Sequence, residues 1–123
     1  MAAIAPTKAW HGAHTVVYTW TAVTSADTFV AVGGPELSDY SDRNVQWGGT
    51  FDSATVLVQG SNDASNYISL TDPQGNALSK TAAAIEQIVE NTLFIKPSAS
   101  GGGGSQSLTV ILVARRGRGG MEV

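Results

Sequence analysis

VLVQGSNDASNYISL, Val56 to Leu70, carries the pattern from which the rest of the chain can be read. A β-branched apolar run enters a cluster of small polar residues, and an apolar–polar alternation resumes at Tyr67. Period-two alternation puts successive side chains on opposite faces of a strand, while Asn, Asp, Ser and Gly close turns through bonds to their own backbone. The segment reads as strand, turn, strand, with Asn62–Asn66 as the turn. Its carboxylate and amides are read as turn formers, because the run lacks the alternating acidic ligands, central Gly and terminal Glu of a calcium loop.

The same pattern extends outward in both directions. Upstream, Asn44–Phe51 reads as a strand with a bulge at Gly48-Gly49, and Asp27–Val32 as a strand stopped by the turn signal Gly33–Pro35. In His14–Thr21, Val16, Tyr18 and Trp20 share one face, and Val17, Thr19 and Thr21 share the other. Glu36–Asp42 is an acidic loop, and residues 1–13 lack any period and read as an arm anchored by Trp10. Downstream, Thr71–Asn76 is a second turn. Thr81–Asn91 fits both periods: its alanines favour helix, its neighbours favour strand, and the neighbours decide for strand. Thr92–Pro97 is expected to pair with Ser107–Arg115 across a flexible glycine-rich hairpin tip. Ser107–Arg115 is apolar on both faces, which suits the middle of a covered sheet or a subunit interface.

The totals agree with one small β domain. The chain has 123 residues, 14% charged and 42% apolar, with 14 glycines. That size closes a single core, and the composition excludes a highly charged disordered chain. About eight short strands separated by turn signals predict an all-β, antiparallel two-sheet sandwich of the jelly-roll kind. The expected organisation is a flexible N-terminal arm (1–13), the sandwich (14–116) and a C-terminal tail (117–123). A net charge of −3 argues for neither a nucleic-acid nor an acidic partner. Without cysteine there is no disulfide, thiol nucleophile or thiolate site. The first ten residues hold no long apolar core, and no segment approaches the roughly twenty apolar residues that span a bilayer. Synthesis in a cytoplasm, with no membrane partner, is the expectation.

No catalytic constellation emerges. His11 and His14 are the only histidines, too few for a zinc set, so no metal or cofactor is expected. Asp39 with Asp42, and Asp63 with Asp72, sit in polar turn sequences rather than in environments that would split their pKa values. Ser100–Ser105 lacks the Lys and following helix of a phosphate loop. The tail around Arg115, Arg116 and Arg118 is basic but has no aromatic residue for base stacking, so direct nucleic-acid binding is not expected.

Two blocks, Thr50–Ser79 and Glu90–Arg116, resemble small structural proteins from the head gene clusters of tailed bacteriophages. The matching residues are Gln59–Asp63, Tyr67, Thr71–Asn76, Phe94–Pro97 and Gly101–Gly104. The resemblance implies a capsid decoration, or cement, protein on the outer surface of the virion. Such a protein binds the major capsid protein and itself, as a dimer or trimer, and is not an enzyme. From composition, the expected partner contacts are Ile4, Trp10, Arg115, Arg116 and Arg118. The alternatives are a tail or head–tail junction component, and a carbohydrate-binding sandwich using Trp10, Trp47 or Tyr40 as an exposed platform.

Overall fold

The computed structural model describes residues 3–33, 37 and 40–116. In chain order its strands are β1 (Ala3–Ile4), β2 (Thr7–Trp10), β3 (Thr15–Val23), β4 (Thr28–Phe29), β5 (Val32–Gly33), β6 (Asp42–Thr50), β7 (Thr55–Ser61), β8 (Ile68–Ser69), β9 (Ser79–Lys80), β10 (Ala84–Ile88), β11 (Phe94–Ser100) and β12 (Ser107–Arg115). One sheet runs β10-β6-β12-β3-β2 and a second runs β5-β11-β7-β8, with β9 also on β7. All pairings within both sheets are antiparallel, and β1 and β4 form a small parallel pair beside them. The chain is an all-β, jelly-roll-like sandwich.

The alternation explains the core. Val16, Tyr18 and Trp20 of β3, Val45 and Trp47 of β6, and Leu108, Val110 and Leu112 of β12 are buried on the inner face of the first sheet. Val56 and Val58 of β7 and Ile95 of β11 are buried with them in the same cluster. The two indoles of Trp20 and Trp47 are the largest fully buried side chains.

Several expectations need correction. Thr92–Pro97 and Ser107–Arg115 do not pair with each other: β11 lies between β5 and β7, whereas β12 lies between β6 and β3 in the other sheet. The glycine-rich segment between them is therefore a crossing from sheet to sheet. It is tied down by Gly103 N–H on the Asp52 carbonyl (3.0 Å), Ser105 N–H on Asp52 Oδ2 (2.9 Å) and Gln106 Nε2 on the Gly101 carbonyl (2.8 Å). Gln106 Oε1 also accepts the Ser25 N–H at 2.6 Å. Asp52 itself sits on the corner where the chain passes from β6 to β7, with left-handed φ values of 45° at Asp52 and 68° at Ser53.

The bulge also moves. The β6–β12 register runs unbroken through Gly48 and Gly49, because Gly49, at φ +91°, lets the Ser107 carbonyl approach where a Cβ would collide. The irregularity lies in β3 instead, where Val110 pairs with Trp20 but Leu108 pairs with Val23. Ala22, at φ 55°, absorbs the extra residue. The shift swings Val23 inward, so the buried set passes from even to odd numbers.

Residues 3–10 are not a free arm. β1 pairs with Thr28–Phe29 and Ile4 packs on the core, while β2 extends the first sheet along β3. The gain is main-chain pairing that costs little, since all four β2 residues remain exposed. The segment Thr81–Asn91 contains strand β10, as its neighbours indicate. Residues 117–123 of the expected tail lie outside the described residues.

Candidate functional site

At one end of the first sheet the beginning and the end of the chain meet. β2 carries Trp10 opposite Val16, and β12 carries Arg115 opposite Thr15, so from the two sides of β3 both reach the same end of it. The Arg116 N–H bonds the His14 carbonyl at 2.9 Å, which holds the following residue at that end. Tyr40 joins them. Its ring lies 6.1 Å from that of Trp10 at 57°, and the Arg116 guanidinium stands 5.7 Å from its centroid. Lys8 Nζ stands 5.6 Å from the Trp10 ring. Two cations thus flank two adjacent aromatic faces, an arrangement that the ring quadrupoles favour. Trp10 is 49% exposed while Tyr40 is buried, so the indole is the accessible part of the pair.

Arg43 builds the floor of this cluster. It occupies an inward position on β6, the side shared with Val45 and Trp47, and only 1% of it is exposed. Nε donates to the Tyr40 carbonyl at 2.6 Å, one terminal nitrogen to Thr92 at 2.7 Å and the other to Leu37 at 3.0 Å. Burial pushes the guanidinium pKa down from the ordinary arginine value. Three carbonyl acceptors use the planar fork in a way a lysine ammonium could not.

The expected contact residues therefore separate. Trp10 and Arg116 meet at Tyr40. Arg115 is exposed at the adjoining end of β12, opposite Asp42 and Thr15. Ile4 is half-buried against the core. Arg118 lies outside the described residues. Sequence reasoning did not find Lys8 or Arg43, and Tyr40 entered only as a possible sugar-platform ring. The available signal for Arg43 was a charged residue in phase with Val45 and Trp47 on an alternating strand.

The other candidates do not converge. His11 and His14 are exposed, and among the described residues no three metal-ligating side chains cluster. Asp63 closes its own turn, accepting from the backbone of Asn66 (2.8 Å) and Ser65 (2.9 Å), from Asn66 Nδ2 and from the Ser61 hydroxyl. Asp72 does the same for Gln74 and Asn76. A groove of about 390 Å³ lies beside the Asn62–Asn66 turn and includes Glu90, whose carboxylate is engaged by the Thr71 hydroxyl and by its N–H at 2.8 Å. Trp47 and Tyr40 are buried, so of the rings expected to form a sugar platform Trp10 is the exposed one.

No protein-family model matches the sequence, and no curated protein matches it. Several solved structures are similar to the chain in backbone. The SPBc2 prophage-derived protein YomS superposes with a TM-score of 0.57 at 9% identity, over 86% of this chain and 98% of YomS. A cupin domain from Bordetella pertussis Tohama I gives 0.45 at 9% identity, over 91% and 92%. A cupin 2 conserved barrel domain protein from Salinispora arenicola gives 0.43 at 8%, over 95% and 78%. At such identities the likeness to YomS is one of fold.

Proposed function

We propose that this chain is a non-enzymatic structural protein of a tailed-phage virion that decorates the outer capsid surface and bridges major capsid protein subunits. The observation that carries the reading is the cluster of Lys8, Trp10, Tyr40 and Arg116, an aromatic and cationic contact patch mounted on a rigid sheet. A half-exposed Trp flanked by cations has the composition of a protein-interface anchor. Two further points support the reading: the head-gene resemblance of Thr50–Ser79 and Glu90–Arg116, and the prophage origin of YomS. Repetition around a shell supplies avidity, so each contact can be modest.

Cryo-electron microscopy of particles assembled with the chain tests the reading. The expected result is density at capsomer junctions, with the Trp10 end against the shell and occupancy lost on Trp10→Ala with Arg116→Ala. Density confined to the tail or head–tail junction would overturn it. A sugar-binding reading rests on the exposed Trp10 ring alone, because Trp47 and Tyr40 are buried. A glycan array comparing the wild type with Trp10→Ala separates that reading from the first.

A further inference from the structure

We infer that the outer face of the β10-β6-β12-β3-β2 sheet is the interface of a homodimer, packed against the same face of a second copy of this chain. Apolar residues hold its centre, and charge is confined to the row at one end, where Arg115 stands opposite Asp42. The register places Ile111 between Gln46 and Thr19, with Ile85 and Thr7 at the ends of that row. In the next row Val113 stands between Asn44 and Val17. No charged residue occurs in either row, and Ile85 at the rim is 62% exposed. The outer face of the second sheet differs, since Lys96 stands in its middle, opposite Gln59 and 4.3 Å from the Tyr67 ring.

The edges of the same sheet are guarded while its face is not. Lys8 on β2 is in register with the inward-facing Tyr18, and Glu86 on β10 with the inward-facing Val45. Glu86 is paired with Lys80 at 2.9 Å. Inward-pointing charges on edge strands oppose the addition of another strand. Edge-to-edge growth is thereby discouraged, and face-to-face stacking is the association left open to this sheet.

Size and symmetry point to a second copy as the occupant. Strand spacing of about 4.8 Å and a rise of about 3.3 Å per residue give the whole sheet, its Arg115–Asp42 end included, a face of roughly 600 Å² in projection. With side-chain relief added, that approaches the ~800 Å² per partner of a standard stable interface. β12 is the central strand of the sheet, so a two-fold axis running alongside it, midway between the two faces, lays Ile111 and Val113 over their own counterparts. The two faces share one twist and can pack aligned, as sandwich sheets do. A net charge of −3 per copy opposes this only weakly.

The inference does not depend on the capsid reading, and the purified full chain tests it. Sedimentation velocity at micromolar concentration should give twice the 12.7 kDa chain mass. Thr19→Glu with Gln46→Glu, both on the outer face, should weaken dimerisation at least tenfold while circular dichroism and melting temperature stay near wild type. A wild type that remains monomeric at about 100 μM would overturn the inference, with dissociation constants beyond that range falling outside stable association. So would a trimer, or a dimer that survives Thr19→Glu with Gln46→Glu but is broken by Trp10→Ala. Dimerisation only after removal of residues 117–123 would assign the face to the tail.

Discussion

Arg43 Nε donates to the main-chain oxygen of Tyr40 across 2.6 Å, so a buried guanidinium holds the backbone of the residue whose ring lies beside Trp10 and Arg116. The aromatic cluster at the surface thus rests on backbone held by a residue that is itself 1% exposed.

Arg43→Ala should therefore destabilise the fold severely. It leaves the carbonyls of Leu37, Tyr40 and Thr92 without this donor. Each buried acceptor left unpaired costs about 1–3 kcal/mol, so urea denaturation should show a loss of roughly 3 kcal/mol or more. Arg43→Lys should recover only part, because one ammonium cannot reproduce the fork. A loss below about 1 kcal/mol would show that water replaces the guanidinium at all three carbonyls.

The two buried indoles should respond differently to the same change. Trp20 Nε1 donates to the Val30 carbonyl at 3.0 Å, whereas Trp47 Nε1 has no hydrogen-bond partner among the described residues. Trp20→Phe removes a hydrogen bond, and Trp47→Phe removes an unsatisfied donor. Thermal melts should place Trp20→Phe about 1–2 kcal/mol below Trp47→Phe. Equal losses would contradict the assignment.

Within the glycine-rich crossing, position decides tolerance. Gly102 has φ +83°, and a Cβ there would lie 2.6 Å from the Asp52 carbonyl oxygen and 2.8 Å from the Ala54 nitrogen. Nothing lies within 4 Å of a Cβ built at Gly104. Gly102→Ala should cost about 1–3 kcal/mol in equilibrium unfolding, while Gly104→Ala should be neutral or slightly stabilising. Matching results for the two would mean that the crossing is not packed on the Asp52 corner.

How far the sequence reveals this fold depends on the length of each strand. In β3 and β7 alternation runs long enough to identify the strand and its inward face. In β10, Ile85 and Gln87 face out while Ile88 is buried, so the strand reading held where the alanines pointed to helix. β1, β4, β5, β8 and β9 are two residues each, too short for any period to register. β2 was missed because Thr7–Trp10 lies exposed on an edge and leaves no apolar pattern. The β11–β12 error arose because two neighbouring apolar strands joined by glycines look like a hairpin. Their actual separation is set by Asp52 and Gln106, residues far apart in sequence. At the contact cluster, Trp10 and Arg116 were legible from composition. Arg43 was not, because three-carbonyl coordination exists only once the strands have assembled.

Acid should weaken the fold through the turns. The Asn66 N–H, with Ser65 N–H, the Asn66 amide and the Ser61 hydroxyl, holds the Asp63 carboxyl well below its usual range. At Glu90 desolvation pushes upward, but the Thr71 hydroxyl and N–H outweigh it and the net shift is downward. A carboxyl with a depressed folded pKa binds fewer protons than the unfolded chain does. Its contribution is therefore full above its ordinary value of about 4 and fades as pH falls toward the folded value. Urea midpoints should decline below about pH 4, more shallowly in Asp63→Asn and Glu90→Gln. Parallel slopes in the variants and the wild type would place the acid sensitivity elsewhere.

The crossing at Gly101–Gly104 and the aromatic cluster lie at opposite ends of β12, whose nine residues span roughly 30 Å. Any surface that grips the protein by its indole leaves Gly104 pointing the other way. A guest peptide spliced in at Gly104 would be presented outward without touching the gripping end, which makes the molecule an oriented handle for display.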